Sequence, residues 1–165
     1  MPNTNSTSTA FTTAFNKKTN RLINESSVEY NNSKLSVKAL WDTGATRTCI
    51  SEGVSKDLSM IPTGRKKIYT PSGTKVVNTY LLNIILPNDI VIKDVEVCDS
   101  DIGNQGLDVL IGMDIILLGD FAVSNFNDKT TFTFRVPSKQ TTDYVKQIVV
   151  ENAIDPKHGI GKKRK

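Results

Sequence analysis

The chain has 165 residues, 38% of them hydrophobic and 23% charged, which suits a single globular domain with polar tails and excludes a second full domain or global disorder. Its formal net charge of +4 rests on the closing Lys162, Lys163, Arg164 and Lys165; without these, 17 basic residues face 17 acidic ones, so the charge describes a solvated tail rather than a nucleic-acid-binding face. The N-terminus has no basic segment leading into an apolar one, and no apolar run approaches the roughly 20 residues that span a bilayer, so a soluble, cytoplasmic protein without membrane contact is expected.

Residues 1–20, MPNTNSTSTAFTTAFNKKTN, are dominated by Thr, Asn and Ser, a composition that predicts a disordered N-terminal arm despite Phe11 and Phe15. A folded domain is expected over residues 21–136. In SVEYNNSKLSVKALW, Asn31-Asn32-Ser33 lies between two β-prone runs and predicts a hairpin, with Leu35, Val37 and Ala39 alternating against Ser36 and Lys38. After Asp42-Thr43-Gly44, the run EGVSKDLSM predicts a helical turn. KKIYTPSGTKVVNTYLLNIIL predicts a second hairpin about Pro71-Ser72-Gly73-Thr74, where Pro presets one dihedral and Gly takes the unusual one.

The segment PND turns the chain again, and IVIKDVEV alternates with Val91, Lys93, Val95 and Val97 on one side. LDVLIGMDIILLGDF predicts a buried strand broken at Gly112, then a short helix stopped by Gly119. FAVSNFNDKTTFTFRV predicts a closing hairpin about Asn127-Asp128-Lys129. Six to eight short strands with at most two short helices make an all-β barrel or sandwich. Residues 137–165 form a C-terminal extension with a basic tail; DYVKQIVVENAI fits either a helix or a strand.

The chemistry concentrates at ALWDTGATRTCIS. Three apolar residues deliver Asp42 into a glycine turn, and hydroxyl-rich residues follow, so the carboxylate is expected near the core and partly dehydrated. Two such acids at short range cannot both ionise; the pair then holds one proton and activates water for hydrolysis without a metal or a nucleophilic side chain. The chain carries no second Asp-Thr-Gly or Asp-Ser-Gly. Cys49 and Cys98 lack metal-ligand spacing with the single His158, so no metal and no cofactor are expected, and the thiols read as free, buried or half-buried groups. Asp114 reads as a helix-start cap and Trp41 as core or pocket wall.

ALWDTGATRTCI resembles the active-site loop of the retropepsin-like aspartic proteases, DVLIGMDII about 70 residues later resembles their second signature, and TPSGT falls where they carry a flap hairpin. The resemblance implies a closed retropepsin-like barrel, homodimeric, in which Asp42 of each copy forms a catalytic dyad around one water. It assigns Thr43 to a hydrogen bond across the two-fold axis, Gly44 and Ala45 to the substrate backbone, and Ser72, Gly73 and Thr74 to the flap tip. Thr46 and Met113 stand where retroviral members often carry a salt-bridged acid and Arg. The implied activity is an aspartic endopeptidase acting on a peptide or protein substrate; a silent dimer that binds extended peptides is the alternative reading.

Overall fold

A computed structural model of the chain describes residues 9–70 and 73–154. Ten strands occur among them: β1 (Thr9–Ala14), β2 (Leu22–Tyr30), β3 (Ser33–Trp41), β4 (Cys49–Ser51), β5 (Gly64–Thr70), β6 (Gly73–Leu86), β7 (Ile90–Ser100), β8 (Val109–Ile111), β9 (Asp120–Ser124) and β10 (Thr131–Val136). Three α-helices accompany them, α1 (Glu52–Asp57), α2 (Met113–Ile116) and α3 (Tyr144–Ile154), with three short 3-10 turns between strands. α3 settles the open state of the C-terminal extension as a helix, with its apolar residues exposed. No helix among the described residues is long and apolar enough to cross a membrane.

Seven strands form one sheet in the order β2-β3-β8-β4-β7-β6-β5, and an added β2–β6 pairing closes six of them into a barrel with β5 outside it. The turns that drive this are local. Asn31 and Asn32 both take positive φ, 48° and 62°, which supplies the two-residue turn whose twist suits a β2–β3 hairpin. Ser51 caps α1, its hydroxyl accepting from the Val54 N–H. Along β3, Val37, Ala39 and Trp41 alternate into the core as their period of two demands.

β7 departs from the predicted alternation. Leu82 pairs with Val95 but Ile84 pairs with Ile92, so Lys93 and Asp94 oppose one residue, Asn83, as a bulge does. Asp94 takes a φ of 54° and its N–H reaches the Asn83 side-chain oxygen at 3.1 Å. The buried residues are therefore Ile90, then Val95 and Val97, with Cys98 after them; Val91 and Lys93 face solvent. An unmarked extra residue shifts which face every later side chain takes.

The three-stranded sheet β1-β10-β9 corrects the expectation of an unstructured arm over its described part. Thr9–Ala14 pairs with β10 from Thr9↔Val136 to Ala14↔Thr131, and Phe11 is 3% exposed. Burying one aromatic ring and pairing six residues outweighs the polar composition around it. Residues 1–8 lie outside the described residues. Phe11, Phe121, Phe132 and Phe134 enclose Trp41, with ring centroids 5.0 Å (Phe134) to 5.8 Å (Phe132) from the indole. The indole N–H of Trp41 donates to the buried Asn24 at 2.8 Å, which explains a polar residue on the inner face of β2.

The carboxylate of Asp120 accepts from the Ser138 hydroxyl, the Lys139 N–H and the Arg135 guanidinium, which together hold its carboxyl well below the usual range. A carboxyl depressed in the folded state stabilises above its unfolded value, and that contribution is lost as the pH falls through the folded one. Asp120→Asn is expected to lower the melting temperature at pH 7, with the gap to wild type shrinking once the pH drops below about 4, the ordinary aspartate value; a pH-independent gap in thermal melts would contradict this. Phe11→Ala is expected to cost about 3–5 kcal/mol in urea unfolding, whereas a loss below about 1 kcal/mol would make β1 dispensable.

Candidate active site

β8 lies between β3 and β4, parallel to the first and antiparallel to the second. The ladder ends at Trp41↔Ile111, and the Asp42 N–H extends it by donating to the Ile111 carbonyl at 2.9 Å. The chain then turns: the Ala45 N–H returns to the Asp42 carbonyl at 3.2 Å, and the Gly44 N–H donates to Asp42 Oδ1 at 2.8 Å, a side-chain turn typical of aspartate. Asp42 is half-buried, and Thr43 and Gly44 are exposed. A Cβ on Gly44 would lie 3.1 Å from Asp42 Oδ1, so glycine keeps the turn from crowding the acid.

The outgoing half of the loop is fixed from below. The Ala45 carbonyl accepts from the Met113 N–H at 2.8 Å. Thr48, wholly buried, donates its hydroxyl to Asp114 Oδ1 at 2.7 Å and accepts the Gly112 N–H at 3.1 Å, while its own N–H reaches Asp114 Oδ2 at 3.0 Å. This closeness needs a residue without a side chain: a Cβ on Gly112 would sit 2.5 Å from the Arg47 carbonyl carbon and 2.7 Å from its oxygen. Asp114 also accepts the Ile115 N–H at 3.0 Å, inside the first turn of α2. It is not the expected cap, because α2 starts from Gly112 with no side-chain capping bond and Asp114 lies one residue inside the helix; instead it ties the loop after Asp42 to the strand that supports it. Sequence reasoning missed Thr48 as a partner; a hydroxyl six residues after the acid, in a loop otherwise exposed at Thr46 and Arg47, carries no signal by itself.

The structure gathers Asp42, Thr43, Gly44 and Ala45 into one turn. Gly73 and Thr74 stand on a separate element, at the start of β6, opposite Thr70 and Tyr69 of β5. Gly73 has a φ of 118°, a conformation that side chains avoid. Ser72 lies outside the described residues. The base of this hairpin is held to β7 by Lys66, paired with Glu96 at 3.1 Å, and by Asn78, whose N–H and side-chain amide donate to Asp99 at 2.9 and 3.0 Å. Among the described residues no group of three or more His, Cys, Asp or Glu side chains converges as metal ligands.

A six-stranded barrel with an Asp-Thr-Gly turn braced against an Ile-Gly strand end is a retropepsin-like fold. The chain belongs to the family described as "gag-polyprotein putative aspartyl protease", which matches residues 26–117. Among solved structures it is similar to a retropepsin-like aspartic protease from Rickettsia conorii, with 14% identity over 79% of this chain and 96% of that one and a TM-score of 0.49. It is also similar to the simian foamy virus (mac) protease, with 27% identity over 55% and 89% and a TM-score of 0.38. The retroviral protease-like domain of Ddi1 from Leishmania major shares 14% identity over 67% and 93%, with a TM-score of 0.39. No curated protein sequence matches the chain.

Gly112→Ala is expected to lower stability by about 1–3 kcal/mol, as overpacking against backbone does, and to reduce any activity that depends on Asp42. Unchanged thermal melting would show that the loop has room that the geometry denies it.

Proposed function

We propose that the protein is an aspartic endopeptidase whose active form is a homodimer, with one Asp42 from each copy. The observation that carries this is the single acid of the Asp-Thr-Gly turn, half-buried and held by the Gly44 N–H while Thr43 and Gly44 remain open to solvent. One carboxylate cannot both activate water and protonate a carbonyl oxygen, and a second copy supplies the other. Two like charges at short range hold one proton between them, and the titration then belongs to the pair. The ionised member removes a proton from the trapped water as its oxygen attacks the peptide carbonyl; the neutral member gives its proton to that carbonyl oxygen. Collapse of the tetrahedral species breaks the C–N bond and passes a proton to the leaving amine.

In this reading Thr43 braces the two turns against each other across the two-fold axis. Gly44 and Ala45 receive the substrate backbone, which binds extended and adds main-chain hydrogen bonds as an added strand does. Ser72, Gly73 and Thr74 form the tip of a flap that closes over the peptide and excludes water. The folded unit that does this comprises residues 21–136 together with β1, which packs against it.

Asp42→Asn is expected to abolish cleavage of an unfolded polypeptide at mildly acidic pH, by at least about 1000-fold as loss of an essential acid–base group does, with the melting temperature little changed. Equal cleavage by variant and wild type ends the assignment. Sedimentation should show a dimer under the conditions where cleavage occurs, and a fully active monomer would refute the shared dyad.

A further inference from the structure

Cys49 and Cys98 take no part in the reaction proposed above, yet the strand order sets them side by side. β4 and β7 run parallel with Cys49 directly paired to Cys98, and the two sulfurs are 3.3 Å apart. Both are free thiols. Their chain neighbours Ile50 and Val97 point into the core, so the thiols stand on the other face of the sheet, Cys49 half-buried and Cys98 at 8% exposure. Paired strands hold their Cα atoms about 4.8 Å apart, inside the window of about 4.4–6.8 Å that a disulfide tolerates. Closing the gap to a bond of about 2.05 Å therefore needs side-chain rotation and a small strand adjustment, not a rearrangement of the sheet.

The two thiols are chemically unequal. The hydrogen bond shared with Cys49 holds the Cys98 thiol below its ordinary value, and the Lys66 ammonium on β5 adds to this. Cys49 is pushed up by that same bond and by burial. At 3.3 Å one sulfur can carry the shared proton while the other is the thiolate, the division that thiol oxidation uses.

The pair also sits where a crosslink would matter. Cys49 follows Thr48, the residue that fixes the active-site loop to Gly112 and Asp114. Cys98 pairs on its other side with Thr79 of β6, and the next residue, Asp99, grips Asn78 at the flap base. A bond between the sulfurs would join the strand leaving the catalytic turn to the strand beneath the flap.

We propose that Cys49 and Cys98 form a reversible intramolecular disulfide, a redox modification site that slows peptide hydrolysis when closed. The oxidant class is a peroxide. The Cys98 thiolate attacks one peroxide oxygen, the O–O bond breaks, and the departing hydroxide takes a proton to become water. The sulfur of Cys49 then attacks the resulting sulfenic acid, the S–O bond breaks, and a second water leaves with the Cys49 proton. Two thiols are oxidised by two electrons and one peroxide is reduced to two waters. A dithiol reverses the bond by exchange through a mixed disulfide. The rate effect rests on the protease reading; the bond itself does not.

The test uses the full chain. Hydrogen peroxide is applied without reductant, followed by intact mass measurement and peptide mapping, and by cleavage of an unfolded polypeptide before and after dithiothreitol. The expected result is a loss of two hydrogens per chain, one peptide linking Cys49 to Cys98, and a fall in cleavage of at least about fivefold, since displacements near 1 Å at a catalytic site cost up to about 100-fold. Dithiothreitol should restore the rate, and a Cys49→Ser/Cys98→Ser double variant should keep its rate through the same treatment, separating this effect from methionine oxidation. Absence of the linked peptide, sulfinic acid at Cys98 alone, or a closed bond with an unaltered rate overturns the proposal. A chain that never cleaves yet forms the bond would defeat the protease reading and, with it, the rate effect, while leaving the modification site established.

Discussion

The hydroxyl of Thr48 is the point on which the site depends. It has no exposure to solvent, donates to Asp114 and accepts from the N–H of Gly112, so the loop after Asp42 and the β8–α2 corner, distant in sequence, meet at one oxygen. A buried hydroxyl with both capacities filled contributes little net stability but becomes costly once a partner is removed, because the groups left behind cannot find water. That asymmetry makes the junction specific. The loop carrying Asp42 has one arrangement in which its backbone is satisfied, and the absence of a side chain at Gly112 lets the strand end approach closely enough to provide it.

A second support acts from the other side of the acid. Trp41 immediately precedes Asp42 and is enclosed by four phenylalanines, one from β1, one from β9 and two from β10, with its single polar atom satisfied by Asn24. The aromatic cluster fixes the incoming strand and the hydroxyl junction fixes the outgoing loop. Between them the turn itself can stay open, with Thr43 and Gly44 exposed, without losing its position. Rigid surroundings and an accessible turn suit a group that must be held still while a substrate comes to it.

Much of this could be read before any coordinates. The Asn31-Asn32 turn, the alternation of β3 and the break at Gly112 are local features, and local chemistry decides them. The features that could not be read depend on distance or on one-residue offsets. Thr48 and Asp114 are 66 positions apart, and neither residue type announces the other. The bulge at Asp94 changes the facing of β7 through a single inserted position that hydropathy does not reveal. β1 is polar by composition and folds because one ring, Phe11, finds a place among rings contributed by the far end of the chain. Asn24 looks misplaced on an inner face until Trp41 supplies its partner.

The separation between recognisable motif and mechanical support bears on how the protein can be divided. The segment shared with its family, residues 26–117, contains the acid, the hydroxyl junction and the β5–β6 hairpin, yet it stops short of β9 and β10 and begins after β1. All four rings around the indole lie outside it. A fragment trimmed to the shared segment would keep every diagnostic residue and leave Trp41 facing water, so the smallest piece that bears the signature is smaller than the smallest piece able to hold it in shape.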